Sequence, residues 1–456
     1  MTPNAAGNSR KNERFIKMTT APVEKLILSL AAPSIVIMLI SSIYNLTDTY
    51  FVASLGTSEV AAVGIAFPLM AIIQAMGFFF GQGSGNFMAR ALGAQDTEGA
   101  SRMAATGLIS GFILMAAITL AGIIGLKPLV TVLGATATIR PHAMDYIFPT
   151  LLGSPWMVAA MVLNQQLRFQ GSPSIAMVGM LSGAVCNMIL DPVFIFTLGL
   201  GIKGAGYATM VSQMLSFFIL LCYGCTRKGN ISIRFSHFSP SITRFAEMIR
   251  GGVPALIRQG LMSIATIIIN HFASNYGDVA IAAISIVTRL CMFASAMILG
   301  FGQGFQPVCG FNYGAKLYGR VKKSFWFCVR LCTIGLFTIC VLMAIFAPQI
   351  ISLFRKDDLE VIAIGARGLR LHCVSLPFMG FVIMVNMLTQ TMGKALEASI
   401  VASARQGIFL IPGIFILSPL LGLLGIQLCA PAADLMSLII AIPITIRTMK
   451  HLYIPN

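Results

Sequence analysis

Apolar stretches of about 20 residues recur along the whole of this chain, and they constrain its fold more than any other feature. The 456 residues are 57% hydrophobic and only 10% charged, whereas an average water-soluble protein has about 25% charged residues. A helix needs about 20 apolar residues to cross the hydrocarbon core of a bilayer. The sequence therefore predicts an all-α integral membrane protein.

Polar breaks divide the apolar sequence into about twelve predicted membrane-spanning helices. They are expected at residues 26–54, 60–88, 103–126, 143–167, 174–198, 204–225, 247–273, 279–308, 324–347, 364–390, 398–418 and 425–447. The net charge of +16 raises the alternative of a nucleic-acid-binding protein, but there is no basic stripe interleaved with aromatic residues. The basic residues instead favour alternate loops, which predicts cytoplasmic loops and two cytoplasmic termini in the inner or plasma membrane.

The two halves of the chain repeat each other without a gap. Pro33 aligns with Pro254, and Phe80-Gly81-Gln82-Gly83 aligns with Phe301-Gly302-Gln303-Gly304 at the same offset of 221 residues. Because each half has an even number of spans, we predict two pseudo-symmetric six-helix lobes in a parallel arrangement, with a cleft between or within them and a rocking motion. The predicted division is a cytoplasmic tail 1–25, an N-lobe 26–226, a cytoplasmic loop 227–246, a C-lobe 247–447 and a cytoplasmic tail 448–456.

Two acidic residues, Asp48 and Asp191, lie inside predicted spans of the N-lobe, each one turn after an asparagine, Asn45 or Asn187. A carboxylate within hydrocarbon costs at least a few kcal/mol, so it marks a functional site by default. The alternative is that these side chains only join helices by hydrogen bonds. The aligned C-lobe positions hold Ile269 and Gly413, which favours a functional site confined to one lobe.

Counting the helical rise places both carboxylates at one depth, about 25 Å from the cytoplasmic side. Thr209 and Tyr146 are expected in the same layer, and together these oxygens suit a proton or a hard cation such as Na⁺. Pro192 cannot donate to the carbonyl of Met188, which predicts a bend where the helix lines a cavity. The C-lobe also contains Asp434, with Arg258 and Arg289 as possible neutralising partners, and the sequence leaves all three roles open.

At this point the motifs resemble the multidrug and toxic compound extrusion (MATE) family, and its DinF/MepA-like branch in particular. The resemblance covers about residues 20–450. It rests on Asn45-Leu46-Thr47-Asp48, the Gly-Gln-Gly ends of the second and eighth spans, the turn at 167–173, and Asn187 with Asp191-Pro192.

The resemblance implies a V-shaped central cavity and a secondary active exporter of lipophilic or cationic drugs, driven by H⁺ or Na⁺ antiport. The implied partners are small molecules and membrane lipid, with no nucleic acid, no cofactor besides the coupling ion, no enzyme activity, and a monomeric state. The alternatives are a lipid-linked precursor flippase of the same superfamily, or a membrane enzyme using Asp357-Asp358-Glu360. The implied coupling residues are Asp48, Asn187, Asp191, Thr209, Tyr44 and Tyr146. The first four of these are also where a Na⁺ ion is expected. The implied substrate-cavity residues are Ser41, Asn45, Asn164 and Gln213.

Overall fold

The structure is a computed structural model that describes residues 13–225, 231, 234–354 and 358–452. At 41–46, 48–50, 53, 57, 225, 235, 274 and 278 it describes the backbone alone. The run Asp357-Asp358-Glu360 therefore lies partly outside the described residues.

Twelve long helices account for most of the described chain, and each is long and apolar enough to cross a membrane. The prediction of an all-α protein with twelve spans is confirmed, and no strand occurs in the described residues. The helices are α1 Val23–Ala53, α2 Thr57–Gly93, α3 Thr97–Ile124, α4 Arg140–Phe169, α5 Pro173–Pro192, α6 Ile202–Cys225, α7 Ile242–Ala273, α8 Gly277–Gly314, α9 Tyr318–Ile345, α10 Leu359–Thr391, α11 Ala395–Leu421 and α12 Leu423–His451.

Several helices extend beyond the apolar stretch that predicted them. The second span was expected at 60–88, but α2 begins at Thr57 and ends at Gly93, because a polar residue such as Arg90 does not interrupt backbone hydrogen bonding. Two short helices, Leu126–Val132 and Ala347–Ser352, were not predicted. Their first residues are 221 positions apart, so the repeat includes them as well.

The turns between helices confirm the internal repeat at the level of the backbone. Gly171, after α4, has φ 80°, and Gly393, after α10, has φ 79°. Gln95 and Lys316, after α2 and α8, have φ 63° and 59° and are the non-glycine residues with positive φ in the described chain. Residues other than glycine rarely adopt a positive φ. Its recurrence at matching positions therefore shows that the two lobes share one backbone plan.

The two lobes meet at the end of the molecule where α1 begins and α12 ends, which we call the terminus-bearing end. A Cβ atom built on Gly304 of α8 would lie 2.5 Å from the backbone nitrogen of Ala31 in α1. Gly83 of α2 packs against the carbonyl oxygen of Met248 in α7. Glycine removes the side chain at these crossings, which lets helix backbones from different lobes approach closely.

The lobes diverge toward the opposite end. Gly83, Phe79, Ile72 and Pro68 share one face of α2, because they are spaced by four, seven and four residues. The first two pack against α7, whereas Ile72 is 50% exposed and Pro68 is exposed. Phe293 is likewise 52% exposed, on the face of α8 that meets α1 at Gly300. The result is a V-shaped cleft, as expected.

Candidate functional site

Asn187, Asp191 and Thr209 form a buried polar cluster between α5 and α6. Their exposed fractions are 1%, 0% and 4%. The Asn187 Nδ2 atom donates to Asp191 Oδ1 at 3.2 Å and to Thr209 Oγ1 at 3.5 Å. The structure thus brings together three of the residues that depth counting placed in one layer.

Local sequence explains how α5 presents this cluster. Asn187 and Asp191 are four residues apart and therefore lie on one helix face. Directly after Pro192 the α-helix changes to a π-helical turn, Val193–Thr197. Proline lacks the N–H that would bond the carbonyl of Met188, and π-helical turns are frequent at functional sites. The interruption of α5 lies where a bend was predicted.

Close packing between α5 and α6 holds Thr209 against Asn187. Gly179 and Gly183 lie one turn apart on α5, and a Cβ on Gly183 would meet Ser216 Oγ and lie 3.1 Å from the carbonyl oxygen of Ser212. Ser216 Oγ also donates to the carbonyl oxygen of Gly179 at 3.0 Å. This spacing of small residues is the one that lets membrane helices pack backbone to backbone.

Tyr146 is buried in α4 where that helix crosses α6. A Cβ built on Gly206 would lie 2.9 Å from the carbonyl oxygen of Tyr146, and Gly206 precedes Thr209 by three residues. Tyr146 is 2% exposed. The third helix of the predicted site is therefore adjacent to the cluster, while the role of the phenol stays a prediction.

Four predicted site residues lie in α1, which packs against α5. For Ser41, Tyr44, Asn45 and Asp48 only the helical backbone is described, so their side chains lie outside the described residues. Their assignments stay predictions.

Asn164 and Gln213 are the other residues implied to line the substrate cavity. The Asn164 Nδ2 atom donates to the carbonyl oxygen of Ala176 at 3.0 Å, and Asn386 donates to that of Ala398 at 2.7 Å at the matching place in the C-lobe. Because the bond recurs in both lobes, it belongs to the shared scaffold. Gln213 is half-buried on α6, one turn after Thr209. A substrate role for either residue stays a prediction.

The cluster has the chemistry of a site for a proton or a small hard cation. Asp191 supplies a carboxylate, Thr209 a hydroxyl, and Asn187 an amide whose buried Oδ1 has no hydrogen-bond partner within the described residues. Carboxylate, amide and hydroxyl oxygens are ligands that hard cations prefer. Carboxylates inside membrane-spanning helices are also a residue type that proton relays use.

Comparison with known protein families gives a match for both halves of the chain. Residues 33–193 and 254–416 both match the family model described as MatE. The chain belongs to the MatE family. The two matched segments begin 221 residues apart, which is the offset found between the two halves.

Relatives of this MatE protein extend over nearly its whole length. It is 28% identical over 418 residues to the multidrug export protein MepA of Staphylococcus haemolyticus, covering 91% of this chain and 92% of that protein. It is 27% identical over 451 residues to MepA of Staphylococcus aureus, covering 96% and 99%. A structure described as the outward-facing conformation of a multidrug resistance MATE transporter of the MOP superfamily superposes with a TM-score of 0.89 at 28% identity, covering 96% and 98%.

A second buried charge cluster of this MatE protein lies in the C-lobe. Asp434 of α12 is 1% exposed, accepts a hydrogen bond from Ser375 Oγ at 3.0 Å, and forms an ion pair with Arg405 Nε. The partner of Asp434 is therefore neither Arg258, which approaches Asn386 Oδ1 at 3.4 Å, nor Arg289, which is exposed.

Sequence reasoning did not identify Arg405 as the partner of Asp434. The residue lies in a π-helical stretch of α11, Ala404–Leu410, ten residues after that helix begins, or about 15 Å along it. The predicted span 398–418 already contained this arginine. A basic residue inside a predicted span, in a lobe with a lone acid, was the signal that indicated an ion pair.

Proposed function

We propose that this MatE protein exports small lipophilic or cationic drugs from the cytoplasm in antiport with H⁺ or Na⁺, by alternating access in the inner or plasma membrane. The observation that carries the proposal is the buried cluster of Asn187, Asp191 and Thr209 in the N-lobe. The family membership and the relatives named as multidrug export proteins support it.

The proposed orientation puts the terminus-bearing end in the cytoplasm. Arg90, Arg320 and Lys323 lie at that end, where Arg90 pairs with Glu247 at 2.8 Å and Lys323 with Glu24 at 2.9 Å. Basic residues favour the cytoplasmic side of membrane proteins. In this orientation the cleft opens outward and the helix crossings close its cytoplasmic end.

In the proposed cycle, the negative charges of ionised Asp191 and Asp48 attract a cationic drug into the outward-open cleft. Arrival of H⁺ or Na⁺ neutralises the N-lobe carboxylates and removes their attraction for the drug, which leaves. Asn187 keeps the carboxyl of Asp191 in place in both charge states, because its amide can donate or accept. The π-helical turn after Pro192 supplies backbone that can change conformation next to this switch.

The test measures dye efflux from proteoliposomes under an imposed pH gradient or Na⁺ gradient, applied separately. We expect Asp191→Asn and Asp48→Asn to reduce gradient-driven efflux to the level of protein-free liposomes, because neither variant can change charge. Asp145→Asn is the matched control, since that carboxylate is 52% exposed near Lys203. Wild-type efflux by both N-lobe variants, with normal insertion, would show that the coupling site lies elsewhere.

A further inference from the structure

The segment that precedes α1 is bonded to the C-lobe, although the chain continues from it into the N-lobe. We call this segment, residues 13–21, the N-terminal strap. The side-chain amide of Asn312 in α8 donates to the carbonyl oxygen of Met18 at 3.1 Å. Arg320 of α9 donates to the carbonyl oxygen of Ala21 at 2.6 Å. Two helices of the C-lobe therefore hold the backbone of a segment that belongs to the other lobe.

The N-terminal strap also contacts the N-lobe. Met18 is 4% exposed, and its Sδ atom lies 3.4 Å from a Cβ built on Gly171, in the turn between α4 and α5. On the other side, Asn312 is fully buried and accepts a hydrogen bond from Arg320 Nε at 2.8 Å. The strap thus lies across the boundary between the lobes at the terminus-bearing end.

The segment that precedes α7 has the matching arrangement. Ser239 follows Met18 by 221 residues, which is the offset between the two halves. Its backbone nitrogen donates to Thr106 Oγ1 of α3 at 3.4 Å, and the adjacent short helix Phe235–His237 packs against α3. Each lobe is therefore entered through a segment that is bonded to the other lobe, so the strap belongs to the repeated plan of the molecule.

The chain gives the strap no slack. Pro22 alone separates Ala21 from Val23, the first residue of α1. If the lobes separated at the terminus-bearing end, α1 would draw the strap away from α8 and α9, and the bonds from Asn312 and Arg320 would break. Water can replace both partners of such a bond, which makes its net contribution small and its breakage reversible.

We propose that the N-terminal strap holds the terminus-bearing end closed, and that it must leave Asn312 and Arg320 before this end can open. The inference rests on the proposed alternating access, because only an alternating carrier has to open its closed end. It gives residues 13–21 a role in transport, although they lie outside the membrane-spanning helices.

A cysteine on the strap reports whether the strap is docked. Thr19 is 7% exposed, so Thr19→Cys should react slowly with a water-soluble maleimide while the strap is in place. The background has the cysteines outside the buried core replaced by serine. Asn312→Ala removes the bond to Met18 and should raise the labelling rate about fivefold to tenfold.

Asn86→Ala is the matched control for this measurement. Asn86 is also a fully buried asparagine, but its amide donates within its own helix, to the carbonyl oxygen of Gln82 at 2.8 Å. The labelling rate of Thr19→Cys should be unchanged by this substitution. An equal rate in Asn312→Ala and the wild type, or an equal rise in Asn86→Ala, would overturn the proposal.

A reversible cross-link tests whether the strap has to leave. Thr20 and Gly319 are exposed neighbours of Ala21 and Arg320, and a Cβ on Gly319 would meet no atom within 4 Å. Joining Thr20→Cys to Gly319→Cys with a reducible reagent should stop dye efflux from proteoliposomes, and reduction should restore it.

The control cross-link joins Glu98→Cys to Arg102→Cys, one turn apart on α3, and should leave efflux unchanged. Full efflux by the protein with its strap cross-linked would overturn the proposal. Absence of efflux before any cross-linking would instead refute the proposed transport, and the labelling rates would still decide whether Asn312 holds the strap.

Discussion

Asp191 and Asp434 are both buried within membrane-spanning helices, but their described partners differ in charge. Asp191 has the neutral amide of Asn187, whereas Asp434 has the guanidinium of Arg405 together with the hydroxyl of Ser375. At the scale of single residues, therefore, the two buried acids differ in their described contacts: a hydrogen bond from an amide in the N-lobe, and an ion pair with an arginine in the C-lobe.

Removal of the C-lobe carboxylate should destabilise the protein. We expect Asp434→Asn to lower the free energy of unfolding by about 3 kcal/mol, because it leaves the largely buried guanidinium of Arg405 without its counter-charge. The measurement is the thermal midpoint in detergent, followed by the loss of the monodisperse peak on gel filtration. Combining Asp434→Asn with Arg405→Met should recover most of the loss. No recovery in the double variant would contradict the ion-pair explanation.

Thr209 offers a way to distinguish the coupling ions. In Thr209→Val the shape is kept and one oxygen is lost, which costs about 1 kcal/mol for a typical ligand or hydrogen bond. If Na⁺ is the coupling ion, we expect the Na⁺ concentration for half-maximal efflux to rise about fivefold to tenfold, with Thr209→Ser close to the wild type. If H⁺ is the coupling ion, efflux driven by a pH gradient should persist in both variants.

The N-lobe cluster could be predicted from sequence, because the four-residue spacing puts Asn187 and Asp191 on one helix face and the helical rise places Thr209 at a similar depth. The C-lobe ion pair could not be predicted in the same way. Arg405 and Asp434 belong to different helices, and their contact depends on the rotation of each helix about its own axis. The π-helical stretch that contains Arg405 changes that rotation, and no residue pattern indicated it.

At the scale of helices, α2 and α8 determine how the lobes fit together. Each carries glycines where it crosses a helix of the other lobe, and each is longer than its apolar stretch. The repeated Phe-Gly-Gln-Gly segment predicts close helix crossings. It does not predict which helix of the other lobe packs there, because the spacing of glycines is independent of the identity of the neighbouring helix. The extra turns at the ends of both helices were not predicted either. Hydrophobicity indicates which residues lie within the bilayer, but it does not indicate where the backbone hydrogen bonds of the helix end.

A methyl group at a crossing glycine should weaken the contact between the lobes. We expect Gly83→Ala to destabilise the observed arrangement by about 1–3 kcal/mol, because the new Cβ meets the carbonyl of Met248, which is backbone and cannot rotate away. Gly64→Ala on the same helix is the matched control, since its Cβ would have no atom within 4 Å.

Pulsed electron paramagnetic resonance can follow this change. Spin labels attached through Glu98→Cys and Lys323→Cys lie at the terminus-bearing end, one in each lobe. The background has Cys186, Cys222 and Cys225 replaced by serine, since the other cysteines are buried. The wild type and Gly64→Ala should give one short distance, and Gly83→Ala should add a longer one. An unchanged distance distribution in Gly83→Ala would show that α2 and α7 accommodate the methyl group.

At the scale of the whole molecule, the two lobes are related by a pseudo-twofold axis, but matching positions carry side chains of different charge. Arg168 of the N-lobe donates a hydrogen bond to Gln303 of the C-lobe. The related contact joins Gln390, which matches Arg168, to Gln82, which matches Gln303; here Gln390 donates at 2.8 Å. The two bonds cross the boundary between the lobes in opposite directions. Arg168 is 2% exposed, so a buried positive charge occupies one side of an otherwise matched pair.

Exchange of these two residues tests how closely the halves match. We expect the variant that combines Arg168→Gln with Gln390→Arg to melt near the wild-type temperature, because it moves the charge to the related position. Gln390→Arg alone should lower the free energy of unfolding by at least about 2 kcal/mol, because it adds a second charge to a buried boundary. The measurement is the thermal midpoint. A double variant less stable than Gln390→Arg would show that the environments of the two positions differ.

The closure of the terminus-bearing end by glycine backbones has a consequence for how this transporter can diversify. At such crossings almost any replacement adds atoms where none fit, so the set of acceptable sequences there is narrow. The widening part of the cleft, where Ile72 and Phe293 are half exposed, has no such restriction. We therefore expect substitutions selected for altered compound preference to occur mainly in the open part of the cleft. Few substitutions are expected at the glycine crossings that close the terminus-bearing end.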